Sequence, residues 1–108
     1  MKITTGRTVL YVLNEADAEA INRRRTSSGS IAERIKEDKW PIGAQAHIGN
    51  GAQTGDICPA VAVRIFSHTD NPPVNLQVLL DGNDIYWATS RHEDAAKVPG
   101  TWHWPERV

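Results

Sequence analysis

Apolar residues near the N-terminus predict one strand followed by one helix. Residues 7–13, "RTVLYVL", are rich in β-branched and aromatic side chains, which favour a strand. Asn14 is a good N-cap for a helix over 15–25, and Glu15 and Asp17 fall in the first turn, where the positive end of the helix dipole favours acidic groups.

A second, shorter helix is predicted over residues 31–38. Ser30 and Glu33 have the spacing of a capping box, and Ile31 and Ile35 share one helical face. The polar, glycine-containing segment 26–30 separates the two predicted helices.

From residue 43 onward the apolar positions alternate with a period of two, which predicts strands. The predicted strands are 43–50, 57–67, 74–80, 85–90 and 101–104. "DGND" at 81–84 predicts a hairpin with a two-residue loop, because Gly82 and Asn83 tolerate positive φ angles.

Together these elements predict an α+β fold in a single domain, 1–108. A strand and one or two N-terminal helices (7–38) precede a small antiparallel SH3-like β-barrel or bent sheet (43–104).

Composition narrows the functional classes. The chain has 12 basic and 13 acidic residues, a balance that argues against general nucleic-acid binding. Its only cysteine, Cys58, has no intrachain disulfide partner, which favours a reducing compartment. No apolar run approaches about 18 residues and no signal-peptide pattern is present, so we expect a cytoplasmic protein without membrane association.

The four tryptophans are Trp40, Trp87, Trp102 and Trp104. In a strand, Trp102 and Trp104 share one face and His103 points to the other. One interpretation is that the pair closes the core, since aromatic residues dominate small cores. The other is that an indole offers a stacking platform for a planar ligand, and both can hold at once.

Arginines are the second set of candidates. Arg23, Arg24 and Arg25 either complement the dipole at the end of the helix or clamp an anionic group, because guanidinium groups bind phosphate and carboxylate bidentately. Arg64 and Arg91 are further anion candidates. The predicted ligand-binding residues are Trp102, Trp104, His103, Arg23, Arg24, Arg25, Trp87 and Arg91.

Nothing in the sequence marks an enzyme. The phosphate-binding, nucleophile-elbow and zinc-protease motifs are missing, and the histidines and Cys58 lack metal-ligand spacing. We therefore predict no catalytic residue, no metal and no cofactor.

Two resemblances bear on fold and role. The order "GD-x-C-P-A-V-A-V-R" and then "VNLQVLLDGND" resembles the hairpins of SH3-like barrels of the Tudor type, over residues 43–90. "RTVLYVLNEADAEAINRRR", "WPIGAQAHIGN", "LLDGNDIYWATS" and "PGTWHWP" resemble a family of small proteins of bacteriophages and prophages. That second resemblance implies a viral accessory role and no particular chemistry.

Three functions follow as hypotheses. The first is a non-enzymatic phage anti-defence protein that binds and sequesters a small nucleotide-derived signalling molecule. The second is an SH3-like adaptor or inhibitor that binds a host protein, and the third is a structural virion component. With 40% hydrophobic residues and four tryptophans in 108 residues, we also expect a homodimer or higher homo-oligomer.

Overall fold

The first helix begins where the sequence predicts and ends one residue earlier, because Arg25 is its extended C-cap. The computed structural model describes residues 2–25 and 48–106. In it, helix α1 spans Glu15–Arg24, and the Asn14 side chain accepts a hydrogen bond from the Asp17 N–H (2.8 Å). The Asp17 carboxylate in turn accepts from the Asn14 N–H (3.0 Å), which completes a capping box. The predicted second helix, 31–38, lies outside the described residues.

Five strands form one antiparallel sheet. They are β1 (Thr8–Val12), β2 (Ile57–Ile65), β3 (Val74–Leu79), β4 (Ile85–Arg91) and β5 (Trp102–His103), in the spatial order β4-β3-β2-β1-β5. The α+β class and the antiparallel sheet are thus confirmed, and residues 57–90 contain no helix. Of the predicted strand 43–50 only residues 48–50 are described.

The sheet has two distinct faces because successive side chains in a strand alternate. One face, which we call the inner face, carries the core and packs against α1 through Ile21. Its fully buried members include Val9, Tyr11, Leu76 and Trp102. The opposite side of β2, β3 and β4 is the outer face.

The hairpin loop between β3 and β4 differs from the prediction. The strands pair from Leu79 opposite Ile85, so the loop comprises residues 80–84 and the predicted two-residue turn is wrong. Gly82 does not adopt a positive φ. It forms a backbone bridge with Gly49, and a Cβ on Gly82 would lie 2.5 Å from the Ile48 carbonyl oxygen. Glycine is required here for close backbone approach.

The two ends of the sheet approach each other at one point. Just beyond β4, Glu93 forms an isolated parallel bridge with Trp102 in β5. The Trp102 N–H donates to the His92 carbonyl (3.1 Å), and the Asp94 N–H donates to the Trp102 carbonyl (2.9 Å). No helix among the described residues has the length and apolar character to cross a membrane.

Candidate functional site

A buried carboxylate occupies the centre of the inner face. Asp17, in the first turn of α1, has no solvent exposure. One of its oxygens accepts from the Tyr86 hydroxyl (2.9 Å) and from Arg91 Nη2 (3.0 Å). The other accepts from the Tyr11 hydroxyl and from the Asn14 N–H. Four donors therefore satisfy the carboxylate, which is the condition under which a charge is tolerated in a core.

This network holds its tyrosines in the neutral form. Burial raises the pKa of Tyr11 well above its usual range, and the hydrogen bond to Asp17 raises it further. Burial and the same carboxylate also raise the pKa of Tyr86. The guanidinium of Arg91 lies over the Tyr11 ring at 5.6 Å. Both hydroxyls are committed as donors to Asp17, so this arrangement is built for stability.

The helix-terminal arginines meet an internal partner. Arg25 Nη1 binds Asp84 Oδ1 at 2.6 Å, and both side chains are buried. Arg24 Nη2 lies 3.3 Å from the other Asp84 oxygen, and the Arg24 guanidinium packs over the Tyr86 ring at 5.7 Å. Arg23 is exposed, with Nε 3.4 Å from the Glu19 carbonyl. Because Arg24 and Arg25 are both ion-paired with Asp84, neither guanidinium needs an external anion to balance its charge.

The C-terminal tryptophans belong to the core region. Trp102 is 1% exposed, and its ring meets Trp104 edge-on with centroids 5.5 Å apart. The predicted shared face is therefore confirmed. Arg7 lies over the Trp104 ring at 5.2 Å. Neither tryptophan has a hydrogen bond, ion pair or cation–π contact with Arg23, Arg24 or Arg25 within the described part of the chain.

His103 is directed away from the tryptophan pair and is also buried, at 5% exposure. It lies opposite Leu10 of β1. Burial lowers the pKa of His103, and the nearby Lys97 lowers it further. The histidine is thus neutral near physiological pH and provides no charge for an anionic ligand.

Trp87 is the one predicted aromatic residue that is open to solvent among those described. It lies on β4, and its side chain is 60% exposed. Its neighbours on the outer face come from β2 and β3 through the strand register. An apolar patch on the outer face is formed by Ile57, Pro59, Val61, Gln77, Leu79, Ile85 and Trp87. The register also places Arg64, opposite Asn75, on the outer face beside this patch.

The patch around Trp87 is apolar. Six of its seven residues are apolar and the seventh, Gln77, is neutral, whereas Arg64 brings a positive charge to the same face. Ile57 is 52% exposed, Leu79 44% and Ile85 49%. An antiparallel sheet normally turns polar residues to water on its open face. A contiguous, exposed apolar surface instead marks an interaction site.

The structure brings together only part of the predicted site. Three of the predicted arginines are paired with internal carboxylates: Arg24 and Arg25 with Asp84, and Arg91 with Asp17. Trp102, Trp104 and His103 pack into and around the core, and Trp87 faces the other way. The predicted clamp, with a C-terminal indole and a helix-terminal arginine on one ligand, is therefore not assembled among the described residues.

Two groups of important residues were not predicted. Asp17 was assigned only to the helix dipole, whereas it anchors the inner face. The apolar outer face was overlooked, although β2 carries a signal for it: "ICPAVAV" is apolar at both alternating sets of positions, which indicates a strand covered on both sides.

Comparison of the chain with protein-family models, with curated proteins and with solved structures finds no match. The functional argument therefore depends on the geometry of the chain itself. No group of three or more histidine, cysteine or acidic side chains suited to a metal ion occurs among the described residues.

Proposed function

We propose that this protein is a non-enzymatic protein-binding module that docks through the outer face. The observation that carries the proposal is the apolar patch around Trp87, which the folded chain leaves exposed. Aromatic anchors surrounded by apolar residues dominate the energetics of protein interfaces. This is the second of the functions predicted from the sequence.

The energetic argument favours a protein partner over a small anionic one. An apolar surface gains free energy by leaving water, about 25 cal/mol per Å². Arg64 on the same face packs its guanidinium over the Phe66 ring at 5.1 Å. A phosphate placed on the patch around Trp87 would be desolvated without a cation from the patch itself, because none of its seven residues carries a charge.

The test uses a matched pair of variants. Ile85 on the outer face and Val98 in the 92–101 loop are both 49% exposed, so Ile85→Lys and Val98→Lys introduce the same charge at equal exposure. Proteins enriched from producing cells by the wild type are identified and then reconstituted in purified form. We expect at least one to bind wild type and Val98→Lys alike, and Ile85→Lys at least tenfold more weakly. Equal binding of all three by every reconstituted protein would refute the proposal.

A second candidate function is the capture of a nucleotide-derived molecule, favoured by the exposed indole of Trp87. A stacked base contributes roughly 1–3 kcal/mol. Calorimetric titration of cyclic dinucleotides and cyclic ADP-ribose forms would then show binding that Trp87→Ala weakens about tenfold or more. If wild type binds none of them, this candidate is abandoned.

We further propose that the sheet closes into an SH3-like barrel. The bridge between Glu93 and Trp102 supports closure, because it joins the two ends of the strand order. Slow hydrogen exchange of the Trp102 amide, at a rate close to that of the central β2 amides, is the expected result. Fast exchange there would indicate an open sheet.

The setting in which the module acts is also a proposal. The resemblance of four segments to small phage and prophage proteins supports an accessory role in the cytoplasm of an infected host cell. Expression timing tests this: an early, non-virion protein is expected, and recovery of the chain from purified virions would favour a structural role instead.

A further inference from the structure

The outer face changes from apolar to basic along the direction of its strands. Three rows of residues cross the face, and each row is two residues further along β3 than the one before. In the first row, nearest the loop between β3 and β4, Leu79 lies opposite Ile85. In the second row Gln77 lies opposite Trp87, and the third row holds Arg64. Successive rows are about 7 Å apart, so a positive charge lies about 7 Å beyond the exposed indole.

Arg64 is the one charged residue that β2, β3 and β4 direct to the outer face. Its guanidinium packs over the Phe66 ring, 5.1 Å from the ring centroid, which orders the side chain. None of the ion pairs among the described residues includes Arg64. The fold therefore places beside the apolar patch a cation whose natural complement, a carboxylate, is supplied by no described residue.

The small area of the face determines the size of the partner element. Three strands spaced about 4.8 Å apart give a width of about 14 Å, and the three rows span about 14 Å in the other direction. A standard interface between globular proteins covers about 800 Å² on each partner, which is much larger. One α-helix with its side chains is about 10–12 Å wide. A single helix lying along the strands therefore covers the face.

The repeat of a helix also matches the spacing of the rows. Positions i and i+4 of an α-helix lie about 6 Å apart along the axis and on the same side, close to the spacing of about 7 Å between rows. An apolar side chain at i then contacts Leu79 and Ile85, and one at i+4 contacts Trp87. A carboxylate one further turn along reaches Arg64. This is the anchor pattern of an amphipathic helix.

We infer that the outer face binds an acidic amphipathic helix of a partner protein, whose apolar stripe covers the patch around Trp87 and whose carboxylate pairs with Arg64. This inference rests on the proposed docking role of the outer face and specifies the partner. The apolar anchors supply most of the affinity. The exposed ion pair changes the affinity only a few-fold, and its main effect is on the orientation of the helix and on the choice among helices.

The test begins with a displayed library of helical peptides about 15 residues long. Each peptide has apolar residues at i and i+4, and the positions one turn before and one turn beyond them are glutamate, glutamine or lysine. The wild type should enrich glutamate at one of these positions. Arg64→Gln should remove the preference, and Arg64→Glu should change it to lysine, because the charge of the recognising side chain is then reversed.

The affinity of the most enriched peptide is then measured by calorimetry, in forms with glutamate or lysine at the selected position. Arg64→Glu should weaken the glutamate form roughly fivefold or more and strengthen the lysine form, and both changes should shrink at high salt. Ile85→Lys and, independently, Trp87→Lys should weaken both forms at least tenfold. Val98→Lys, at the same exposure as Ile85, should leave binding unchanged. Circular dichroism confirms that each variant is folded.

Each contrary result identifies the step that is wrong. Peptides that depend on Ile85 but show no preference for glutamate, or that bind wild type and Arg64→Glu equally, overturn the acidic partner and leave the docking role intact. A library without any peptide that depends on Ile85 overturns the helix as partner. The reconstituted partner proteins then decide separately on the proposed function. A wild-type mass that doubles with concentration, and no longer does so in Ile85→Lys, would assign the face to a second copy instead.

Discussion

The two faces of this sheet reverse the usual assignment of polar and apolar groups. The inner face buries a carboxylate, Asp17, whereas the outer face exposes Trp87, Ile85 and Leu79. Asp17 is tolerated because four donors satisfy it. The outer residues are exposed because the fold supplies no described element to cover them. The inner polar group therefore serves stability, and the outer apolar group is the surface that we propose for association.

Removal of the inner carboxylate should cause the largest loss of stability. Asp17→Ala leaves the Arg91 guanidinium and two tyrosine hydroxyls without their common acceptor. Removing one partner of a buried pair costs about 3–5 kcal/mol, with the lower end expected here because Arg91 is partly exposed. Chemical denaturation measures the loss. Glu15→Gln, exposed in the same turn, should change the free energy of unfolding by less than about 0.5 kcal/mol, and an equal effect of both variants would contradict the role of Asp17.

Much of the fold was predictable where the signal is local. Asn14 capped α1 as expected, and alternation placed Trp102 and Trp104 on one face. The partners of Asp17 could not be predicted, because Tyr86 and Arg91 lie about 70 residues further along the chain. For the same reason Arg24 and Arg25 were read as an anion clamp: their partner Asp84 is adjacent only in space.

Gly82 illustrates a second limit of sequence reasoning. A loop does lie at Gly82, but it is longer than the predicted two-residue turn, and glycine is required there for close packing against Gly49 rather than for a positive φ. Several conformations give glycine an advantage, and only the tertiary contact distinguishes them.

The close backbone approach between Gly82 and Gly49 should give the next largest effect on stability. Gly82→Ala would place a Cβ 2.5 Å from the Ile48 carbonyl oxygen, so the backbone must move. Such overpacking costs about 1–3 kcal/mol in thermal or chemical unfolding. Gly51→Ala is the control, since its Cβ would lie an ordinary 3.4 Å from Asn22 Oδ1. Equal stability of the two variants would show that the loop relaxes freely.

Alkaline pH tests the contribution of the inner face to stability without a mutation, through the ionisation of Tyr11. Because the folded-state pKa of Tyr11 is raised, its stabilising contribution is complete below the unfolded pKa of about 10 and is lost as pH rises towards the folded value. The free energy of unfolding should fall by about 1.4 kcal/mol per pH unit for this proton above that point. Unfolding titrations at several pH values measure the slope. Tyr11→Phe should reduce it, and an unchanged slope would contradict the assignment.

The outer face should give the smallest effect on stability. Ile85 is 49% exposed, so Ile85→Lys removes little buried area from the single chain. We expect a change within about 0.5 kcal/mol in the unfolding of dilute protein. A loss of several kcal/mol would mean that the outer face is part of the monomer core, and the contrast between the faces would disappear.

The central claim, that the outer face is the association surface and the inner face is not, can be read from the indole N–H signals of one protein by NMR. Single tryptophan-to-phenylalanine variants assign the signals of Trp87 and Trp102. On addition of a reconstituted partner protein, we predict that the Trp87 resonance shifts or broadens progressively while the resonance of the buried Trp102 stays in place. A Trp87 resonance that is unchanged by a partner that binds the wild type, or a Trp102 resonance that moves instead, would contradict the claim.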